Sequence, residues 1–229
     1  MVIIKRRQAL KAIGVGGLIG MSVTSPLFGI EGASAAKLGK DSSPGFMAIL
    51  IYTPRADAEA RGYTKWIQEV DNPFFNGVDE ISHYTNWLVT SGKSPLFPGE
   101  YFDFMVFKDR KSYDAAWSRR DVPAFAAGWT AKWGKNPDAT AEKMSENYHV
   151  FLAERITPAA TKTQSVDVTP LAAQPASPAV PSDTELWAIT EGVLGKPRFS
   201  HLQIKYNDPG ASSAPSLGAL RAKIIATPD

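Results

Sequence analysis

The sequence predicts an α+β protein: a ferredoxin-like βαββαβ core over residues 46–158, paired into a dimeric α/β barrel and followed by a C-terminal extension. Three observations carry this. An unbroken apolar run spans Phe46 to Tyr52, and two alternating segments follow a helix-patterned stretch. A second helix-patterned region then leads into one more apolar strand. The strand order gives a four-stranded antiparallel sheet with both helices on one face. A sheet this apolar cannot leave its other face in water, and self-association of two such sheets into a closed barrel is the simplest cover.

The elements follow in order. Phe46-Met47-Ala48-Ile49-Leu50-Ile51-Tyr52, closed by Thr53-Pro54, reads as a buried strand. Ala56, Ala60, Tyr63, Ile67, Val70 and Phe74 then recur at helical spacing, with Arg55, Asp57, Glu59, Arg61, Lys65 and Glu69 opposite, and Pro73 ends the helix near Asp71. From Val78 to Thr90 the pattern alternates. Ile81, His83, Thr85 and Trp87 share one face, and Ser82, Tyr84, Asn86 and Leu88 the other. Ser91-Gly92-Lys93-Ser94-Pro95 makes a turn. The third strand, Tyr101 to Phe107, sets Tyr101, Asp103, Met105 and Phe107 against Phe102, Phe104 and Val106. Ser112 caps a second helical region that runs through Trp133 with a break at Val122-Pro123, and Tyr148 to Ile156 is the fourth strand.

Outside the core the composition changes. Lys5-Arg6-Arg7-Gln8-Ala9-Leu10-Lys11, an apolar stretch from Ala12 to Ile30 and the small-residue run Gly32 to Ala36 lay out a signal peptide over 1–35, with a linker over 36–45. The two arginines and the mildly hydrophobic, glycine-containing middle resemble a twin-arginine signal, which implies a periplasmic or secreted protein. Residues 159–183, rich in Pro, Ala, Thr and Ser, read as a linker. Short strands over Glu185–Ile189, Phe199–Tyr206 and Ala222–Ala226 make up an extension over 184–229.

Charge and composition exclude several functions. The 229 residues hold 25 Lys+Arg and 23 Asp+Glu. Cleavage after Ala35 would remove Lys5, Arg6, Arg7, Lys11 and Glu31 and leave 21 basic against 22 acidic residues, so no cationic excess exists for a nucleic acid. No stretch past the signal is long and apolar enough for a membrane helix. The absence of cysteine removes disulfides, thiolate metal sites, iron–sulfur clusters and thiol nucleophiles. The sequence carries no GxSxG elbow, dinucleotide fingerprint, P-loop or HExxH motif, so no cofactor and no metal is expected.

Trp66, Pro73, Gly77 and Val78 stand at the spacing of a pattern, W-x4-H-x-P-x3-G-[FV], carried by EthD-like proteins of the dimeric α/β-barrel superfamily, with Asp71 in place of the histidine. The chain resembles that superfamily over about residues 46–158. The resemblance implies a homodimer and a small aromatic or otherwise hydrophobic ligand held between sheet and helices or in the barrel. It implies no single reaction, because the superfamily hosts many.

The candidate chemistry lies in polar groups within apolar strands. His83 can act as acid or base near neutral pH, and Asp103, flanked by Phe102 and Phe104, has its pKa raised if buried; together they form the expected catalytic pair. Tyr52, Tyr84, Asn86, Trp87 and His149 are the expected substrate contacts. Asp71, at the position of the family histidine, could serve as a base in its place, but the Asp71-Asn72-Pro73 run reads first as helix-ending chemistry, and Trp117, Trp129 and Trp133 read as core. The expected activity is cofactor-independent proton transfer of lyase, isomerase or cyclase type. The alternative is a non-catalytic protein that holds a hydrophobic ligand.

Overall fold

The computed structural model describes residues 45–175, 180–207 and 215–228. The expected signal peptide over 1–35 and almost all of the linker over 36–45 lie outside them.

Eight antiparallel strands close into one barrel in the order β1-β3-β2-β8-β5-β7-β6-β4. They are β1 Phe46–Tyr52, β2 Ile81–Ser91, β3 Tyr101–Phe107, β4 Tyr148–Arg155, β5 Ser165–Leu171, β6 Thr184–Leu194, β7 His201–Tyr206 and β8 Leu220–Ala226. This corrects the expected fold. The protein is a mostly-β closed barrel formed within one chain, not a ferredoxin-like α+β unit that needs a second copy to become a dimeric α/β barrel. The face that self-association was to seal is covered by β5–β8, which join the first four strands through β2 with β8 and β4 with β6. Both halves follow one plan. In each, the first strand lies between the third and the fourth, and the third separates the first from the second.

The linker expected over 159–183 contains β5. Val166, Val168 and Pro170 are buried and alternate with half-buried Ser165, Asp167, Thr169 and Leu171. This period-two pattern is what an outer-wall strand requires.

Period-two alternation also fills the barrel. Met47, Ile49 and Ile51 of β1, Phe102, Phe104 and Val106 of β3, Phe151 of β4, Val166 and Val168 of β5, Trp187 of β6 and Leu202 and Ile204 of β7 form one buried cluster. Eight strands leave an interior just wide enough for side chains to fill, and this cluster packs the middle of the barrel. Phe97 and Phe199 plug one end, in ring contact with Phe102 and Phe151 respectively.

The other faces of β1–β4 are covered by helices. The first helical segment runs as α1 Tyr63–Trp66, a π-turn Ile67–Asp71 and α2 Asn72–Asn76. It does not stop near Asp71. The wide turn lets the chain pass Pro73, which has no N–H to give, and it rotates the buried face by about one residue. Tyr63 and Ile67 point inward as their spacing predicts, but Val70 is 41% exposed and Asp71 is buried in its stead. The second region is α3 Arg110–Ser118 and α4 Asp121–Trp133. Asp109, not Ser112, is the N-cap of α3, its carboxylate accepting from the Ser112 amide. Pro123 sits in the first turn of α4, where its missing N–H costs nothing, so the break falls before Asp121.

Candidate active site

The helix-facing wall of the first four strands carries a cluster of polar side chains among aromatics. Asn86 of β2 and Leu50 of β1 are both register partners of Asp103 in β3, so the three stand side by side across the sheet. Tyr84 lies two residues before Asn86 and faces the same way, and Tyr52 ends β1. Asp71 enters from above on the π-turn, with Asn72 beside it. Asp71, Asn72, Tyr84, Asn86 and Asp103 are each at most 4% exposed.

The hydrogen bonds join two carboxyl groups. The Tyr84 hydroxyl lies 2.9 Å from Oδ2 of Asp71 and 2.9 Å from Oδ2 of Asp103. The Asn86 amide nitrogen donates to Asp71 Oδ2 and to Asp103 Oδ1, both at 2.9 Å. Tyr52 donates to Asp103 Oδ1 at 3.0 Å. Asn72 donates from Nδ2 to the Asn86 carbonyl oxygen at 2.9 Å, which orients the Asn86 amide with both N–H groups toward the carboxyls. Asn76 in turn donates to Asn72 Oδ1 at 3.0 Å and accepts from the Tyr84 amide at 2.9 Å.

Counting protons fixes the charge state. A phenol has one hydrogen and cannot donate to two carboxylates at once, so the second short contact of Tyr84 needs a hydrogen from a carboxyl group. The pair therefore holds at least one proton of its own. Burial, and then the neighbouring Asp71 charge, push the Asp103 pKa well above the ordinary carboxylate value. Burial lifts Asp71 to about 6, against the opposing hydrogen bonds from Tyr84 and Asn86. Tyr52 and Tyr84 are held protonated, first by burial and next by the Asp103 charge. Burial and mutual repulsion thus drive the two like groups apart, with Asp103 the one that holds its proton more tightly.

A cavity of about 40 Å³ opens beside the pair, lined by Asp71, Asp103, Tyr52 and Tyr84 and walled by Leu50, Phe75, Trp117, Phe125, Ala126, Trp129 and Tyr148. It has room for about three waters as it stands. Its aromatic walls meet edge to face, Tyr52 on Trp129 at 5.2 Å and Trp129 on Tyr148 at 5.7 Å. Asp71 Oδ2 takes two hydrogen bonds, while among the described residues none reaches Oδ1. The carboxylate thus has one oxygen held by the protein and one open to whatever occupies the cavity.

The structure brings together four of the expected residues, Asp103, Tyr52, Tyr84 and Asn86, and separates three. His83 and Trp87 face the barrel interior with Thr85, so the expected His83–Asp103 pair does not share a chamber. His149 stacks on Phe151 at the plugged end. It is the register partner of Ile51, whereas His83 lies level with Val106 and Met47. Four residues of strand, roughly 13 Å, separate those levels. One contributor, Asp71, departed from its reading as a helix end, while Trp117 and Trp129 pack against the core as read and also line the cavity. The motif spacing pointed to Asp71, since it fills the position of the histidine in the EthD-like pattern.

No cluster of three or more His, Asp and Glu side chains suited to a metal occurs among the described residues. The chain matches no protein-family profile, no curated protein and no solved structure.

Proposed function

We propose that this chain is an exported, cofactor-independent enzyme that moves a proton on a small aromatic or otherwise apolar molecule, with Asp71 as the base and Asp103 as its protonated partner. The observation that carries this is the free Oδ1 of Asp71 at an aromatic cavity, in a carboxyl pair that keeps one proton. A base works best with a pKa near the ambient pH, and burial brings Asp71 toward that range. In a one-base isomerisation Oδ1 takes a proton from one substrate atom and returns it to another. Throughout, the Tyr84 hydroxyl and the Asn86 amide hold Oδ2 in place. At about 40 Å³ the cavity is smaller than a benzene ring needs, so the walls at Phe125 and Trp129 must part to admit a flat apolar substrate, which they then orient and shield from water. Export rests on the twin-arginine layout of residues 5–36.

The test is deuterium wash-in. The purified chain is incubated in D2O with a panel of small aryl ketones and phenols, together with any molecule that co-purifies, and exchange at carbon is followed by mass spectrometry. Wild type and His83→Ala catalyse exchange, and Asp71→Asn does not. Equal exchange by Asp71→Asn removes Asp71 from the chemistry. Tight retention of a ligand with no exchange in wild type favours the non-catalytic binding protein.

A further inference from the structure

A second cavity opens at the barrel end opposite the Phe97–Phe199 plug. It measures about 220 Å³ and is lined by His83, Thr85, Trp87, Phe104, Lys162, Thr163, Gln164, Tyr206, Ile224 and Thr227. Its inner wall is aromatic, with Trp87 and Phe104 in ring contact at 6.1 Å. On the scale on which roughly 150 Å³ admits benzene, this space admits a substituted ring.

Its polar groups divide into two sets. Several are already engaged: Thr85 accepts from the Trp87 indole at 2.9 Å, Thr163 donates to the Ser165 carbonyl at 2.9 Å, and Tyr206 donates to Glu185 at 3.4 Å. Glu185 lies behind Tyr206 and is itself engaged by the Trp187 indole at 3.0 Å, the Ala160 amide at 3.0 Å and Arg155 at 3.7 Å. His83, Lys162 and the Gln164 amide make no side-chain hydrogen bond or salt bridge among the described residues. Among the described residues no carboxylate lines the cavity. Donors at the rim, one of them a cation, thus surround an aromatic floor.

From this geometry we infer that the open barrel mouth is a binding site for a small aromatic carboxylate, whose ring lies against Trp87 and Phe104 and whose carboxylate meets Lys162, Gln164 and His83. Charge-assisted hydrogen bonds from the lysine supply the selectivity for an anion. This site is distinct from the cavity at Asp71, which lies on the far side of the sheet. Burial, and next the charge of Lys162, hold the His83 imidazole at a pKa of about 4, so it is neutral at physiological pH. A bound carboxylate offsets the Lys162 charge and accepts from the ring, and the His83 pKa therefore rises. The other ionisable groups near Lys162 are Glu185 and Arg155, which are fixed against each other.

Sodium benzoate is titrated into the full chain while the histidine ring resonances are followed by NMR, His83 being assigned through His83→Ala. The expected result is a saturable shift of the His83 resonances and an upward move of its pKa with benzoate, and neither with benzamide. Lys162→Met weakens the benzoate affinity at least tenfold, while Asp71→Asn leaves it unchanged, which separates this site from the proposed catalytic one. A His83 signal that does not move, that moves equally with benzamide, or that responds with wild-type affinity in Lys162→Met overturns the inference. The benzoate and benzamide comparison decides it in wild type alone if the variant does not fold.

Discussion

Replacing Asp71 by Asn should make the protein more stable at neutral pH while removing its proposed activity. The amide oxygen of the replacement can accept from Tyr84 and Asn86 as Oδ2 does, and the NH2 group falls where Oδ1 meets the cavity. What changes is the cost of burying an acid. Well below pH 3.8 the Asp71 carboxyl is protonated in both folded and unfolded chains, and it contributes no difference. Above that, the unfolded chain releases its proton first, because the folded pKa is raised from 3.8 to about 6. Stability is therefore lost as pH rises from about 4 to about 6 and is level beyond, the reverse of a salt-bridged carboxylate. A displacement of about two pH units corresponds to about 3 kcal/mol. Asp71 is 4% exposed, so solvent does little to reduce this. The variant should gain about 3 kcal/mol at pH 7, or about 6–12 °C in Tm, and only about 0.5 kcal/mol at pH 4. Urea unfolding from pH 4 to pH 8, with unchanged m, is the assay. An Asp71→Asn protein no more stable than wild type at pH 7, or one whose gain persists undiminished at pH 4, refutes the reasoning.

Two more predictions follow from the packing and the network. Tyr84→Phe removes the hydroxyl that bridges both carboxyls; it should cost about 1–3 kcal/mol and raise the Asp71 pKa further, seen as an upward move of the acidic limb of any pH–rate profile. Phe102→Ala, at 0% exposure inside the barrel, should cost about 3–5 kcal/mol in chemical denaturation. Loss of less than about 1 kcal/mol would mean that the barrel interior is loosely filled.

How much of this could be read in sequence varied with the range of the interactions involved. The residues of β1 and β3 and most of β2 and β4 were legible, since alternation and apolar runs are local. So were the two faces of β2, with Tyr84 and Asn86 apart from His83 and Trp87. What alternation does not say is which face of one strand meets which face of the next. The register that sets Asn86 beside Asp103 decides that, and it placed His83 on the wrong side for the expected pair. Closure of the barrel was hidden for a related reason. The contacts of β2 with β8 and β4 with β6 join residues far apart in the chain, and the alternation of Val166, Val168 and Pro170 was obscured by the Pro- and Thr-rich composition around it. Asp71 ranked first as a helix end and only second as a base because Pro73 is an ordinary stop signal, and only the wide turn at Ile67–Asp71 carries the helix past it and turns the carboxyl inward.

The most direct test of the proton held between two buried acids is the titration of their carboxyl carbons. In protein labelled with 13C at the aspartate carboxyls, with Asp71→Asn and Asp103→Asn as assignments, the Asp71 signal should titrate near pH 6 and the Asp103 signal should still report a protonated acid there. Two signals that both report ionised carboxylates by pH 4 would contradict the shared proton and the acid–base reading built on it.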